Sequence, residues 1–256
     1  MHMRSQSSRF APGRRNALSV TVAAAAVVLT AATAALCGTD ATTTRAEALF
    51  QTANRFWAEE LKAGKDYVPA QLVLFDGQIR GACSVSRSLT GPFYCPSDLK
   101  VYLDADFLHQ LEQHVSGTVE DFALGYVVGH ELGQHIQNLV GTTSLVEQAR
   151  ADSVAALSAR TWMTQELQAD CFAGLWLRSA LMHGQIKSVA DPAAALDAIS
   201  SISRARQAHL ALGETMVDPL LTYGTSALRL KWFQRGLDSG RFNDCDTFRA
   251  EAAGKL

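Results

Sequence analysis

The chain has no C-x-x-C pair, no G-x-S-x-G turn and no basic stripe, and each absence removes a class of function. Without closely paired cysteines there is no cysteine-type zinc site and no thioredoxin-like redox motif. Without a nucleophile elbow, serine-type hydrolysis on an α/β sheet has no anchor. Lys and Arg number 23 against 25 Asp and Glu, a formal net charge of −2, and the two signs are mixed along the chain. Such a surface does not match a phosphate backbone, so nucleic acid is not an expected partner. Internal repeats and low-complexity domains are lacking too, which excludes solenoids and arrays.

What is present is a chain of 256 residues, 48% hydrophobic, enough to bury a core of ordinary size. It reads as one domain, residues 41–256, behind an N-terminal segment, residues 1–40. Residues 16–39, NALSVTVAAAAVVLTAATAALCGT, carry no charge; Arg4, Arg9, Arg14 and Arg15 precede them and Asp40 follows. This is the pattern of an export signal or a single membrane anchor. Basic flanks stay inside, so the domain is expected outside the cytoplasm, membrane-anchored or secreted after cleavage. Ala32-Thr33-Ala34 suits a cleavage site, and Arg14-Arg15 permits a twin-arginine route. Cys37 lies within the segment. Cys83, Cys95, Cys171 and Cys245 follow, an even number that allows two disulfides in an oxidising compartment, against the alternative of buried free thiols. Cys83 and Cys95 bracket a Ser-, Gly- and Pro-rich loop, so the favoured pairing is Cys83 with Cys95 and Cys171 with Cys245.

Along the domain, Ala46, Leu49, Phe50, Ala53, Phe56, Trp57 and Leu61 recur at helical spacing and predict an opening amphipathic helix. From Tyr67 to Tyr102, PAQLVLFDG and KVYLDA predict a small sheet with a long loop between its strands. Lys100–Asp104 is the strand expected to offer an edge to an extended peptide. Beyond Asp104 the pattern is helical, with breaks at Gly117, Gly141 to Ser144, Gly184, Asp191-Pro192 and Asp218-Pro219. The fold class is therefore α+β, mainly helical. The helix from Thr118 to Val140 is apolar around most of its circumference, which marks it as buried, and it is too polar at its middle to span a membrane. Gly125, Gly129 and Gly133 repeat along it, and each costs about 1 kcal/mol relative to Ala, so a helix or a substrate backbone must approach closely.

Between Phe122 and Val146 the only carboxylate is Glu131, beside His130 and among Val127, Val128, Leu132 and Ile136. A lone acid there is costly unless used or paired. In an H-E-x-x-H helix two histidines four residues apart share one face and hold zinc, and the Glu serves as general base toward water. His130 and Glu131 supply the first half, but position 134 is Gln. The next histidine, His135, lies about 140° from His130 around the helix, against about 40° for position 134. His135 is expected to be a satisfied core histidine or one standing behind the ligands. Downstream, Glu166 and Asp170 sit four apart on a helix. Read alone they form a solvated acidic edge; read beside His130 and Glu131, Glu166 is placed as a third zinc ligand and Asp170 as the group that orients a histidine.

The segments HELGQHIQNLVG, ELQADCFAGLW, GPFYCPSDLKVYLD and YGTSALRLKWFQRGLDSG, with Cys245, together resemble the bacterial neutral zinc metallopeptidase family over most of residues 67–248. The resemblance implies a zincin-like domain, Zn2+ on His130, position 134 and Glu166, and Glu131 as general base in hydrolysis of a peptide or protein substrate. The chain departs from the family's H-E-x-G-H-H helix at Gln134, and from a family histidine at Tyr223, near a substrate-side loop. Two functions stay open. One is a working peptidase in which Gln134 ligates through its amide oxygen or yields to water, with weakened zinc retention. The other is a non-catalytic descendant whose cleft serves as an envelope peptide-binding or scaffold module. Different hydrolytic chemistry on Tyr126, His135 or Tyr223 has no Ser or Cys nucleophile motif to build on.

Overall fold

The structure is a computed structural model that describes residues 40–61, 67–80, 82–83, 89–115, 118–151, 155–188, 191–210 and 225–256. The apolar N-terminal segment and Tyr223 lie outside the described residues. Among the described residues no helix is long and apolar enough to cross a membrane.

Helix α1 (Ala41–Glu60) starts where Asp40 caps it, its carboxylate accepting from the backbone N–H of Thr42 and Thr43. The stripe Ala46, Leu49, Phe50, Ala53 and Trp57 is buried, as its spacing predicts. The sheet has three strands, β1 (Gln71–Phe75), β2 (Phe93–Cys95) and β3 (Lys100–Asp104), in the order β1-β3-β2. β1 runs parallel to β3 and β2 antiparallel to it. This corrects the expectation for Lys100–Asp104: both its edges are taken by neighbours, so it has no free ladder to offer a peptide. The edge positions belong to β1 and to the three-residue β2.

β3 turns directly into α2 (Ala105–His114), with Asp104 as its cap. The Asp104 carboxylate is fully buried and well satisfied, accepting from the N–H groups of Gly77, Gly91 and Asp106 and from the Arg206 guanidinium. Then come α3 (Thr118–Leu139), α4 (Thr142–Ala151), α5 (Ala155–Met182), α6 (Pro192–Leu210) and α7 (Ser226–Ser239). A 3₁₀ turn (Phe242–Cys245) and α8 (Thr247–Ala252) close the chain. The described residues are thus mainly helical, with one small sheet.

Small residues set how closely the central helices approach. A Cβ at Gly133 of α3 would stand 3.0 Å from the Ala169 carbonyl oxygen of α5, so the glycine face predicted to receive a close neighbour receives a helix. On the other side of α5, a Cβ at Gly236 of α7 would stand 1.9 Å from the Cys171 carbonyl oxygen, a distance only Gly permits. Cys171 and Cys245 are bonded, with 5.5 Å between Cα atoms, tying the 3₁₀ turn to α5. Cys83 and Cys95 are bonded at 5.7 Å. Both pairs are those the sequence favoured.

Candidate metal centre

Helix α3 carries His130, Glu131, Gln134 and His135, and α5 carries Glu166 and Asp170. Because α5 packs on the glycine face of α3, both acids turn inward: relative exposure is 6% at His130, 6% at Glu131, 3% at Glu166 and 0% at Asp170. The acidic-edge reading of Glu166 and Asp170 is thereby corrected, and the alternative that placed them beside His130 holds geometrically.

The side chains converge on one point. His130 Nε2 lies 3.2 Å from Glu166 Oε2, and the Gln134 amide nitrogen lies 3.1 Å from Glu166 Oε1 and 3.3 Å from His130 Nε2. Behind the ring, His130 Nδ1 lies 2.9 Å from Asp170 Oδ1. Asp170 in turn receives a forked pair from Arg229 of α7, Nε to Oδ2 at 2.9 Å and Nη2 to Oδ1 at 2.8 Å. The Tyr126 hydroxyl donates to Asp170 Oδ1 and accepts from Arg229 Nη2 at 2.7 Å.

Electrostatics follow from this packing. Burial works against charge on His130, but the hydrogen bonds and charges of Asp170 and Glu166 outweigh it and raise the pKa to about 10. Burial pushes Asp170 up, and the Arg229 and His130 charges more than reverse that, bringing it to about 2. Burial raises Glu131 to about 7, with the His130 and Arg229 charges and the Tyr94 backbone N–H offsetting only part of the cost. Glu131 Oε2 is buried with no hydrogen-bond partner among the described residues. Without a metal the imidazole is doubly protonated, so its Nε2–H is already spent on Glu166. The Gln134 amide nitrogen donates to Glu166 Oε1, so bringing its carbonyl oxygen to the same point would require the side chain to give up that hydrogen bond.

His135 takes no part in this cluster. Its Nε2 lies 2.7 Å from the Val68 carbonyl oxygen, so Nε2 carries the proton, and Nδ1 accepts from the Tyr94 hydroxyl at 3.1 Å. Burial lowers its pKa and keeps it neutral. It is the satisfied core histidine that the helical angle predicts, stitching α3 to β2 and to the segment before β1.

The donor set fits a divalent ion in part. Adjacent ligand atoms on a tetrahedral zinc with bonds of about 2.0–2.1 Å stand about 3.3 Å apart, close to the 3.2 Å between His130 Nε2 and Glu166 Oε2. A carboxylate on the far nitrogen of the histidine is the usual support of a zinc ligand. Against this, the third donor is a neutral amide, and among the described residues no group of three or more His, Cys, Asp or Glu is arranged to hold a metal. His130 and Glu166 are strong donors; Gln134 is a weak one.

A family model described as "putative neutral zinc metallopeptidase" matches residues 17–248. The chain belongs to this family. Among its relatives is the Escherichia coli K12 "Uncharacterized protein YpfJ", 38% identical over 201 residues, which are 78% of this chain and 69% of that one. Mycobacterium bovis Mb2605 and Mycobacterium tuberculosis Rv2575 are each 36% identical over 199 residues, 73% of this chain and 65% of theirs. No solved structure matches the chain. Within this metallopeptidase-family domain, the sequence reading missed Arg229 and Tyr94, and named Tyr126 only for other hydrolytic chemistry rather than as a partner of Asp170. A signal existed for Arg229: it shares a buried helical face with Trp232, Phe233 and Gly236, where a charge needs a partner.

Proposed function

We propose that the chain is a zincin-like peptide hydrolase, with Zn2+ held by His130, Glu166 and the amide oxygen of Gln134, and Glu131 as general base. The observation that carries this reading is the retention of a complete buried acid set around His130. Glu166 and Asp170 are buried in pairs with His130, Gln134 and Arg229, whereas Glu131 is buried on the same helix as His130 and Gln134 with an oxygen that has no partner among the described residues, a cost that a task would explain. When bound, the ion supplies Lewis-acid polarisation of the scissile carbonyl. The residues supply the proton traffic. Glu131, whose carboxyl pKa burial raises in the metal-free chain, is the group proposed to take a proton from water and return it to the leaving amine. Asp170 holds the His130 Nδ1–H and leaves Nε2 directed at Glu166 and Gln134. The substrate is a peptide or protein outside the cytoplasm, met by a domain that is anchored or exported through residues 16–39.

The test is elemental analysis of zinc on the purified chain, alone and as Gln134→His and Glu166→Ala, followed by peptide cleavage assays. Stoichiometric zinc that is lost with Glu166→Ala, with cleavage abolished in Glu131→Gln, supports the reading. A second reading has its own observation: the Gln134 amide nitrogen already bridges to Glu166 in the position a ligand would serve. If zinc enters only in Gln134→His, the cleft is a metal-free peptide-binding or scaffold module.

A further inference from the structure

Arg229 is 8% exposed and comes from α7, an element that contributes none of the proposed ligands. Burying a guanidinium costs several kcal/mol unless it is fully used. Its use is specific: the Nε and Nη2 fork takes both oxygens of Asp170, and Nη2 also reaches the Tyr126 hydroxyl, which itself donates to Asp170. The close contact between α5 and α7 does not need it, since Gly174 and Gly236 make that approach backbone to backbone.

Three donors therefore hold the Asp170 carboxylate, two of them on Oδ1, and the same Oδ1 lies 2.9 Å from His130 Nδ1. A carboxylate with a single donor can swing about its last torsion; one held by a fork and a hydroxyl cannot. The imidazole is then aimed so that Nε2 faces Glu166 and Gln134. In a site whose third donor is an amide, more of the metal's affinity depends on the one histidine being held in place. We infer that Arg229, together with Tyr126, is a positioning residue that acts through Asp170 to aim His130 at the metal position. The inference rests on the metal-site reading above.

The test uses the full chain in detergent, as wild type, Arg229→Lys and Tyr126→Phe, each well below its melting temperature. Lys keeps the charge and loses the fork, and Phe keeps the ring and loses the hydroxyl. The deciding readout is the His130 Nδ1–H proton resonance in chelator, assigned by its loss in His130→Gln. A purely structural role would lower the melting temperature and leave that proton untouched. We expect it to be sharp and protected from exchange in the wild type and lost to exchange in both variants. Zinc, added alone and measured by competition with a chromophoric chelator, should bind about 10–100-fold more weakly to Arg229→Lys. A protected Nδ1–H resonance persisting in Tyr126→Phe and Arg229→Lys overturns the inference. If Arg229→Lys does not fold, the near-isosteric Tyr126→Phe decides alone. If the wild type takes up no zinc, the metal-site reading falls, and the proton resonance still decides whether Arg229 and Tyr126 position His130.

Discussion

Replacing Glu131 with Gln should stabilise the metal-free protein at alkaline pH while abolishing the peptide hydrolysis proposed above. An unfolded glutamate titrates near 4.5, and burial raises Glu131 in the folded chain to about 7. Below pH 4.5 both states hold the proton and nothing is lost. As pH climbs from 4.5 to about 7 the unfolded chain ionises while the folded one keeps its proton, so folding is progressively disfavoured. Above that the penalty levels off at about 3 kcal/mol. Glutamine has no charge to bury, but its NH2 would occupy the place of Oε2, which has no partner among the described residues, and an unsatisfied donor costs about 1 kcal/mol. The variant is therefore expected to be about 2 kcal/mol more stable than wild type at pH 8 and about 1 kcal/mol less stable at pH 4.5. At pH 8 that corresponds to a rise in melting temperature of roughly 4–8 °C for a domain of this size. Urea and thermal denaturation in the presence of a chelator, at both pH values, measure it. A stability difference with the same sign at both pH values would refute the reasoning, because only a buried, ionisable Glu131 reverses it.

His135→Gln should lower stability by about 1–3 kcal/mol, by breaking the links to Val68 and Tyr94, and leave zinc affinity within about threefold of wild type; a large loss of zinc binding would make His135 a ligand after all. Gly236→Ala places a methyl against the Cys171 carbonyl and should cost at least about 3 kcal/mol in urea denaturation, or prevent folding; a neutral result would mean that α5 and α7 do not pack this closely. Removing the Cys171–Cys245 bond, which spans 74 residues, should destabilise by about 4 kcal/mol, against about 3 kcal/mol for Cys83–Cys95, which spans 12. Paired Cys→Ser variants compared by denaturation give the order, and the reverse order would show that the bonds act through native packing rather than through loop closure.

Much of the site was legible locally. His130 and Glu131 stand out because an acid in an apolar helix is costly unless it is used or paired, and the angle around the helix separates Gln134 from His135 without any structure. Reading the downstream helix beside His130 and Glu131 pointed to Glu166 and Asp170, and the resemblance over several ordered segments identified the family and implied Glu166 as a ligand. Other features were not readable. β2 has only three residues in a Gly- and Pro-rich stretch, too few to show a period. Arg229 is separated from Asp170 by fifty-nine positions, and no local pattern says which acid it meets.

By itself the sequence determined that the domain is mainly helical, which helix faces are apolar and which residue types stand ready for metal chemistry. All of these depend on periodicity and composition within a few turns of chain. Tertiary structure decided the rest: that β3 is the central strand, that Glu166 and Asp170 are buried rather than solvated, and that Arg229 and Tyr126 close around Asp170. Each of those outcomes depends on what packs across an element, and a side chain's dielectric, partners and proton affinity are set by that neighbour rather than by its own stretch of sequence.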